Sequence, residues 1–301
     1  MNNILNTLLR ALMRLQALLP LPISQALGSS VGLVGYLCNS RGTLVTRQNL
    51  RLCFPDKTDP EIAALTRSSM QHTGMTAFET PAVWLAPKRR TVVWIRTVEN
   101  EALLDAAMAT GKGTIILLPH LGNWELFNVY FATKGRMTAL YHPPRQDWLK
   151  PLMSEIRGDN LVPTNRRGLM TLYKELEAGH VVTVLPDQVP ASGQFAPFFN
   201  EPALTDRLVP RMIQKTGAQA VVCIVYRQGN GFNIRFEAPA DELYSDNMDT
   251  ALSGLNRSVE QVIRSHVPQY QWEYKRFRER PEGYKKLYKF AGQPQYYHRQ
   301  K

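Results

Sequence analysis

The chain has 301 residues, of which 44% are hydrophobic and 20% charged. That composition excludes a disordered or collagen-like chain and supplies core for one large domain or two small ones. Three cysteines, Cys38, Cys53 and Cys223, have no CxxC spacing, which argues against a cysteine-built zinc site or a disulfide framework and suits a reducing compartment. The formal net charge of +11 sits at the two ends: residues 1–60 carry six Lys/Arg against two acids and residues 264–301 ten against three, while 61–263 has twenty of each. Basic ends of this kind attract phospholipid headgroups or nucleic acid.

Taken in chain order, residues 4–19 place Leu5, Leu8, Leu12, Leu15 and Leu19 on one helical face and Arg10 and Arg14 on the other. Two arginines and the following Pro20 and Pro22 rule out a spanning helix there, and four polar residues weaken one over 21–38. The pattern fits a helix lying in a bilayer surface, or equally one packed on the protein's own core. A cleaved signal peptide fits poorly. Residues 60–86 read as a helix with Asp59 as its cap.

Strands are then expected over 91–98, 114–118, 137–141, 161–163, 181–185, 219–226 and 231–237, and helices over 99–110, 124–133, 148–157, 168–178, 205–216 and 250–266. Alternation of helices with strands too apolar to face water predicts an α/β fold with a mostly parallel, covered sheet, whose ligands bind beyond the carboxyl ends of strands. His120 and Asp187 both lie at such ends. The expected organisation is N-terminal membrane-interfacial helices over 1–40, a catalytic domain over 41–290 and a disordered tail over 291–301. The segment 284–290, YKKLYKF, alternates aromatics with lysines, a pattern suited to headgroups or to an ordinary solvated tail.

His120-Leu-Gly-Asn-Trp-Glu125 carries the chemistry. A histidine at a strand end and a carboxylate in the first turn of the next helix can meet across the loop. Glu125 would then fix the imidazole tautomer and leave the other ring nitrogen facing a substrate hydroxyl as general base. The same spacing suits a loop histidine held by a glutamate for stability. Gly122 allows close backbone approach, Asn123 is a candidate cap, and the amides of the helix start are candidate donors to a developing anion. Asp187 would shape the site, orient a basic residue, or cap a turn. Leu126, Phe127, Val129, Tyr130 and Phe131 are candidates to line an apolar tunnel or to form core. No GxSxG and no activated cysteine are present, which favours direct attack by an acceptor hydroxyl over a covalent acyl-enzyme.

The motif resembles the histidine-acidic motif of the bacterial lipid A late acyltransferases, the lauroyl and myristoyl transferases. The wider glycerolipid acyltransferases have His-x4-Asp, and Glu at the last position points to the lipid A branch. Further blocks resemble the family in order: Tyr141-His-Pro143, Arg157, Pro186-Asp-Gln188, Phe195 to Phe199, Ala203-Leu-Thr205, Pro268 to Trp272, Arg276-Phe-Arg278 and Arg280-Pro-Glu-Gly283. His142 stands in place of the family's usual arginine, Asn200 in place of a common glycine, and a second acid after Asp187-Gln188 is missing.

The resemblance implies a fold of the glycerolipid-acyltransferase type and transfer of an acyl chain from acyl carrier protein, or from coenzyme A, to a hydroxyl of a lipid A precursor. It implies His120 as base with Glu125 as partner and a supporting role for Arg157; Asn123 and Asp187 are placed with Arg157 on the substrate side by their positions in the loop and at the strand end. Arg157 would touch phosphate or the oxyanion, or pair on its helix with Glu155 or Asp159. No metal and no cofactor is expected beyond the acyl donor. Expected partners are acyl carrier protein, anionic membrane lipids and the lipid A precursor, not nucleic acid, at the cytoplasmic face of the bacterial inner membrane. The competing readings are another acceptor, such as a lysophospholipid or a glycolipid, and a catalytically inactive membrane-binding homologue.

Overall fold

In the computed structural model, residues 2–141 and 161–290 are described, without the side chains of residues 2–6 and 141. The helix expected over 148–157, with Arg157 and His142, and the tail 291–301 lie outside the described residues.

Four helices come first: α1 (Asn2–Ala17), α2 (Leu21–Leu37), α3 (Arg41–Cys53) and α4 (Asp59–Leu85). The first three pack on α4. The N-cap of α4 is Thr58 rather than Asp59: the Thr58 backbone N–H and hydroxyl both donate to Glu61 (2.8 and 2.7 Å), whereas Asp59 pairs with Arg51 at 2.8 Å. Helix α2 is turned inside out. Its buried stripe is Ser24, Gly28 and Gly32, and its aliphatics Ile23, Leu27, Val31 and Val34 face outward. A Cβ on Gly32 would sit 2.0 Å from the Met70 carbonyl oxygen, so only glycine admits this approach of α2 to α4. On α1, Leu8, Leu12 and Leu15 are likewise exposed, while Arg90 donates to the carbonyls of Ala17, Leu18 and Leu19 and so caps its C-terminal end.

The rest is α/β. Strands β1 (Ile95–Glu99), β2 (Thr114–Leu117), β3 (Met137–Tyr141), β4 (Leu161–Pro163), β5 (Val181–Val184), β8 (Gln219–Gln228) and β9 (Gly231–Glu237) form one sheet in the order β1-β9-β8-β2-β5-β3-β4. Every pairing is parallel except β8 with β9, a hairpin. Helices α6 (Glu101–Ala109), α7 (Leu126–Phe131), α8 (Arg166–Glu177), α9 (Leu208–Thr216) and α10 (Met248–Ser265) cover it, and α5 (Lys88–Thr91) is a single turn before β1. Side-chain alternation along the strands divides the core in two. Ile115, Leu117, Val182, Val222 and Ile224 pack under α8, α9 and α10, while Ile116, Leu118, Val181, Val221 and Cys223 pack under α6 and α7.

Two elements differ from expectation. Residues 91–94 are helical, so β1 starts only at Ile95. Residues 194–205, where no strand was expected, form an antiparallel hairpin, β6 (Gln194–Phe198) and β7 (Glu201–Thr205), and α9 starts after it. Its turn residues Phe199 and Asn200 have φ of 50° and 63°, the primed-turn geometry that explains why glycine suits position 200 and asparagine tolerates it.

Candidate active site

Strands β2 and β5 are parallel neighbours in the register Leu117 opposite Val184. Three residues beyond each of these stand His120 and Asp187, so the sheet itself delivers the imidazole and the carboxylate to one spot. Asp187 Oδ1 lies 2.8 Å from His120 Nδ1, and Asp187 Oδ2 accepts the His120 backbone N–H at 3.0 Å. The Asp187 side chain is 2% exposed and that of His120 12%. Burial pushes the Asp187 carboxyl up, but the His120 charge and its two hydrogen bonds outweigh this and leave it below its ordinary value. Tyr270 packs beside it, its phenol pushed well up by burial and then by the Asp187 charge.

The place beside Nδ1 expected of Glu125 is therefore taken by Asp187. The Glu125 carboxylate accepts from Asn128 Nδ2 at 3.2 Å instead, because Glu125 already opens the helical turn and its side chain leaves the loop on the cavity side. The other ring nitrogen, His120 Nε2, lies 3.1 Å from the amide nitrogen of Gln188, which also reaches Gln271 Oε1 at 3.5 Å. Trp124 meets the imidazole edge-on at 4.7 Å.

The loop after His120 is held rigidly. Gly122 has φ +62°, and a Cβ there would fall 1.9 Å from the Val225 carbonyl oxygen. Its N–H donates to Gln269 O at 2.8 Å and that of Asn123 to Val225 O at 3.1 Å. With the His120 N–H on Asp187, these three loop amides are spent within the protein. Asn123 is fully buried, its side chain donates to Glu79 at 3.1 Å, and it does not cap α7 or line any of the three cavities that converge at this site. Glu79 is the centre of a buried cluster. It accepts Nε and Nη2 of Arg227 at 2.8 and 2.6 Å and Gln25 Nε2 at 2.9 Å.

Three cavities converge here, and all share Trp84 and Glu125. One of about 400 Å³ lies between α4 and residues 269–273, reaches Met13 of α1, and has His120 in its wall. A second of about 520 Å³ has His120 and Gln188 at one end and aliphatics such as Leu118, Leu140, Val184, Leu208 and Leu255 along its wall. A third of about 390 Å³ is bordered by Val129 and Phe131; Leu126 and Phe127, two of the expected tunnel residues, are fully buried core. Among the described residues no cluster of His, Cys, Asp and Glu has metal-binding geometry.

Gln188 and Glu273 escaped the sequence reading as site residues. Gln188 stood only as the last residue of the Pro186-Asp-Gln188 block, and that block was the signal it offered. Glu273 is brought in by the C-terminal segment, where Thr73 donates to its Oε2 at 3.0 Å.

The sequence model of the bacterial lipid A biosynthesis acyltransferase family matches residues 2–279 of this chain. The chain belongs to that family. Its acyltransferase relatives include the lipid A biosynthesis lauroyltransferase of Escherichia coli K12, 28% identical over 273 residues, with 88% of each chain covered. The palmitoleoyltransferase of the same pathway and strain is 27% identical over 275 residues, 90% of each chain. A lipid A biosynthesis acyltransferase of Haemophilus influenzae is 26% identical over 284 residues, covering 88% of this chain and 87% of its own. As an acyltransferase of this family, the chain must bring an acyl donor and an acceptor to one reacting point, and two of the cavities have His120 in their walls.

Proposed function

We propose that the protein transfers a fatty acyl chain from acyl carrier protein to a hydroxyl of a lipid A precursor at a membrane surface, with His120 as general base. The observation that carries the chemistry is an imidazole in the wall of two cavities whose Nδ1 is tied to buried Asp187 and whose Nε2 meets only the Gln188 amide among the described residues. An ionised Asp187 accepts Nδ1–H and leaves the lone pair on Nε2. Gln188 covers that lone pair in the resting site and has Gln271 as an alternative acceptor, so its withdrawal exposes the base. Nε2 then takes the acceptor's hydroxyl proton as the oxygen attacks the thioester carbonyl. The new C–O bond forms, the C–S bond breaks, and the thiolate leaves with the proton from Nε2–H. Glu125, at the junction of the three cavities, meets the substrates there and not the ring. Arg157 is assigned to the substrate side, as its place in the family's block order suggests.

The membrane placement rests on the outward aliphatics of α1 and α2. No single described helix is long and apolar enough to cross a bilayer. Yet Leu8, Leu12, Leu15, Leu18, Ile23, Leu27, Val31 and Val34 are all 45–68% exposed on two adjacent elements, a patch of the kind that seats a protein in headgroups. Lys285, Lys286 and Lys289 are exposed as well, which suits an anionic leaflet. Tyr288 is not available for it, since its hydroxyl donates to Asn49 at 2.6 Å and accepts from the Phe277 N–H.

Purified protein, acylated carrier protein and a tetra-acylated lipid A precursor should yield a product heavier by one acyl group on mass spectrometry, and no product would defeat the reading. In co-sedimentation with anionic vesicles, Leu8→Ser combined with Leu12→Ser and Leu15→Ser should weaken binding at least severalfold, and undiminished binding would remove the membrane claim.

A further inference from the structure

The cavity between α4 and the C-terminal segment carries a second carboxylate that the mechanism leaves unused. Residues 269–273 leave a 3-10 turn at Gln269, bridge Leu121 at Tyr270 and turn again at Trp272 and Glu273 as they pass His120, pinned by Gln269 O on the Gly122 N–H, by the Gln271 N–H on His120 O at 3.0 Å, and by Asn49 Nδ2 on Trp272 O at 2.7 Å. Gln269, Tyr270, Gln271 and Glu273 line the cavity, and Trp272 is buried away from it. Opposite them α4 presents Thr73, Thr76 and Thr80, which share one helix face. Thr76 is committed to the Gly122 carbonyl and to Arg227, and the Thr80 hydroxyl to the Thr76 carbonyl. Thr73 donates to Glu273. The rest of the wall is Met13, Ala77, Pro81, Trp84, Tyr270 and Trp124, with His120 and Glu125 at its inner end.

We propose that Glu273, supported by Thr73 and Gln271, binds a hydroxyl of the lipid acceptor in this cavity and thereby sets acceptor specificity. The inference rests on the acyl transfer to a lipid acceptor proposed above. A carboxylate offers about four lone-pair sites, and the Glu273 backbone N–H, the Thr73 hydroxyl and the Gln271 amide leave one of them for a ligand. An ionisable group kept against an apolar wall costs stability unless a polar partner joins it, and burial does push the Glu273 carboxyl up, against the Thr73 and Gln271 hydrogen bonds and the His120 charge, which lower it. A glutamine would satisfy the Thr73 hydroxyl equally well, so holding the segment against α4 does not by itself require a carboxylate. The choice of acceptor over donor follows from Met13. The cavity touches the helix whose leucine face is outward, so a lipid entering from a bilayer reaches it first, while the aliphatic cavity of about 520 Å³ on the other side of His120 is left for the transferred chain.

The test is steady-state kinetics of wild type, Glu273→Gln and Glu273→Leu, varying the tetra-acylated lipid A precursor and the acylated carrier protein separately. Loss of a hydrogen bond to a charged group predicts a KM for the precursor raised about tenfold or more, with the KM for the carrier protein unmoved and the thermal melt of Glu273→Gln matching wild type. An unchanged precursor KM, or an equal rise in both KM values, overturns the assignment. Equilibrium binding of the precursor in detergent micelles without donor reads Glu273 directly. A wild type that binds the precursor but transfers nothing defeats the acyl-transfer reading, and equal affinity of wild type and Glu273→Gln defeats this one.

Discussion

Replacing Asp187 by asparagine tests the geometry of the base in an unusually clean way. The two carboxylate oxygens have different partners: Oδ2 accepts the His120 backbone N–H at 3.0 Å and Oδ1 faces the ring Nδ1 at 2.8 Å. The backbone N–H can only donate, so the single oxygen of the substituted side chain must turn to it and the new amide NH2 must face Nδ1. Nδ1 then has to accept, which moves the ring proton to Nε2 and removes the lone pair that the reaction needs. The hydrogen-bond count and side-chain volume are preserved, so the fold survives. A base locked in the wrong tautomer costs about 10² to 10⁴ in kcat, on the order of 3–5 kcal/mol. The assay is turnover of the lipid product with ¹⁵N NMR of the His120 ring alongside. Asp187→Asn should shift the proton from Nδ1 to Nε2, and Glu125→Gln should not. A tautomer switch in Glu125→Gln with none in Asp187→Asn would refute the assignment, as would a wild-type rate in Asp187→Asn.

Two further outcomes concern stability. Glu79→Ala strands the Arg227 guanidinium, which is 5% exposed, without its carboxylate and should cost about 3–5 kcal/mol in denaturant unfolding, whereas a loss below about 1 kcal/mol would show that the cluster does not hold the loop. His72 is held at a pKa of about 4, by burial first and then by the Arg227 charge, against an ordinary 6.5. Since the unfolded chain takes up that proton at the higher pH, stability should fall as pH drops from 6.5 towards 4, by at most about 3 kcal/mol from this residue. His72→Leu should flatten that acid limb, and an unchanged slope would contradict the shift.

The sheet was legible because its strands announce themselves: 114–117 and 181–184 are β-branched or aliphatic runs bounded by glycine or proline, and both were found to within a residue. The hairpin over 194–205 was not, because Pro197 and Pro202 speak against strands, and only pairing with each other at an edge makes them tolerable. At the site, sequence proximity pointed to Glu125, five residues from His120, as the histidine's partner. The partner in the structure is 67 residues away and is chosen by parallel register, a property of two strands together that neither segment carries alone. Equal overhang beyond neighbouring strand ends was the signal that could have found it. Asn123 looked like a cap because of its place before a helix, but the buried Glu79, 44 residues distant, claims its side chain.

The central claim is that the His120 imidazole removes the proton from the acceptor hydroxyl. Its most direct test is the rate of acyl addition to the lipid A precursor by wild type and by His120→Ala, each shown to be folded by its thermal melt. The account predicts a loss of at least about 10²-fold in kcat for the alanine variant, and turnover by His120→Ala at the wild-type rate would contradict it.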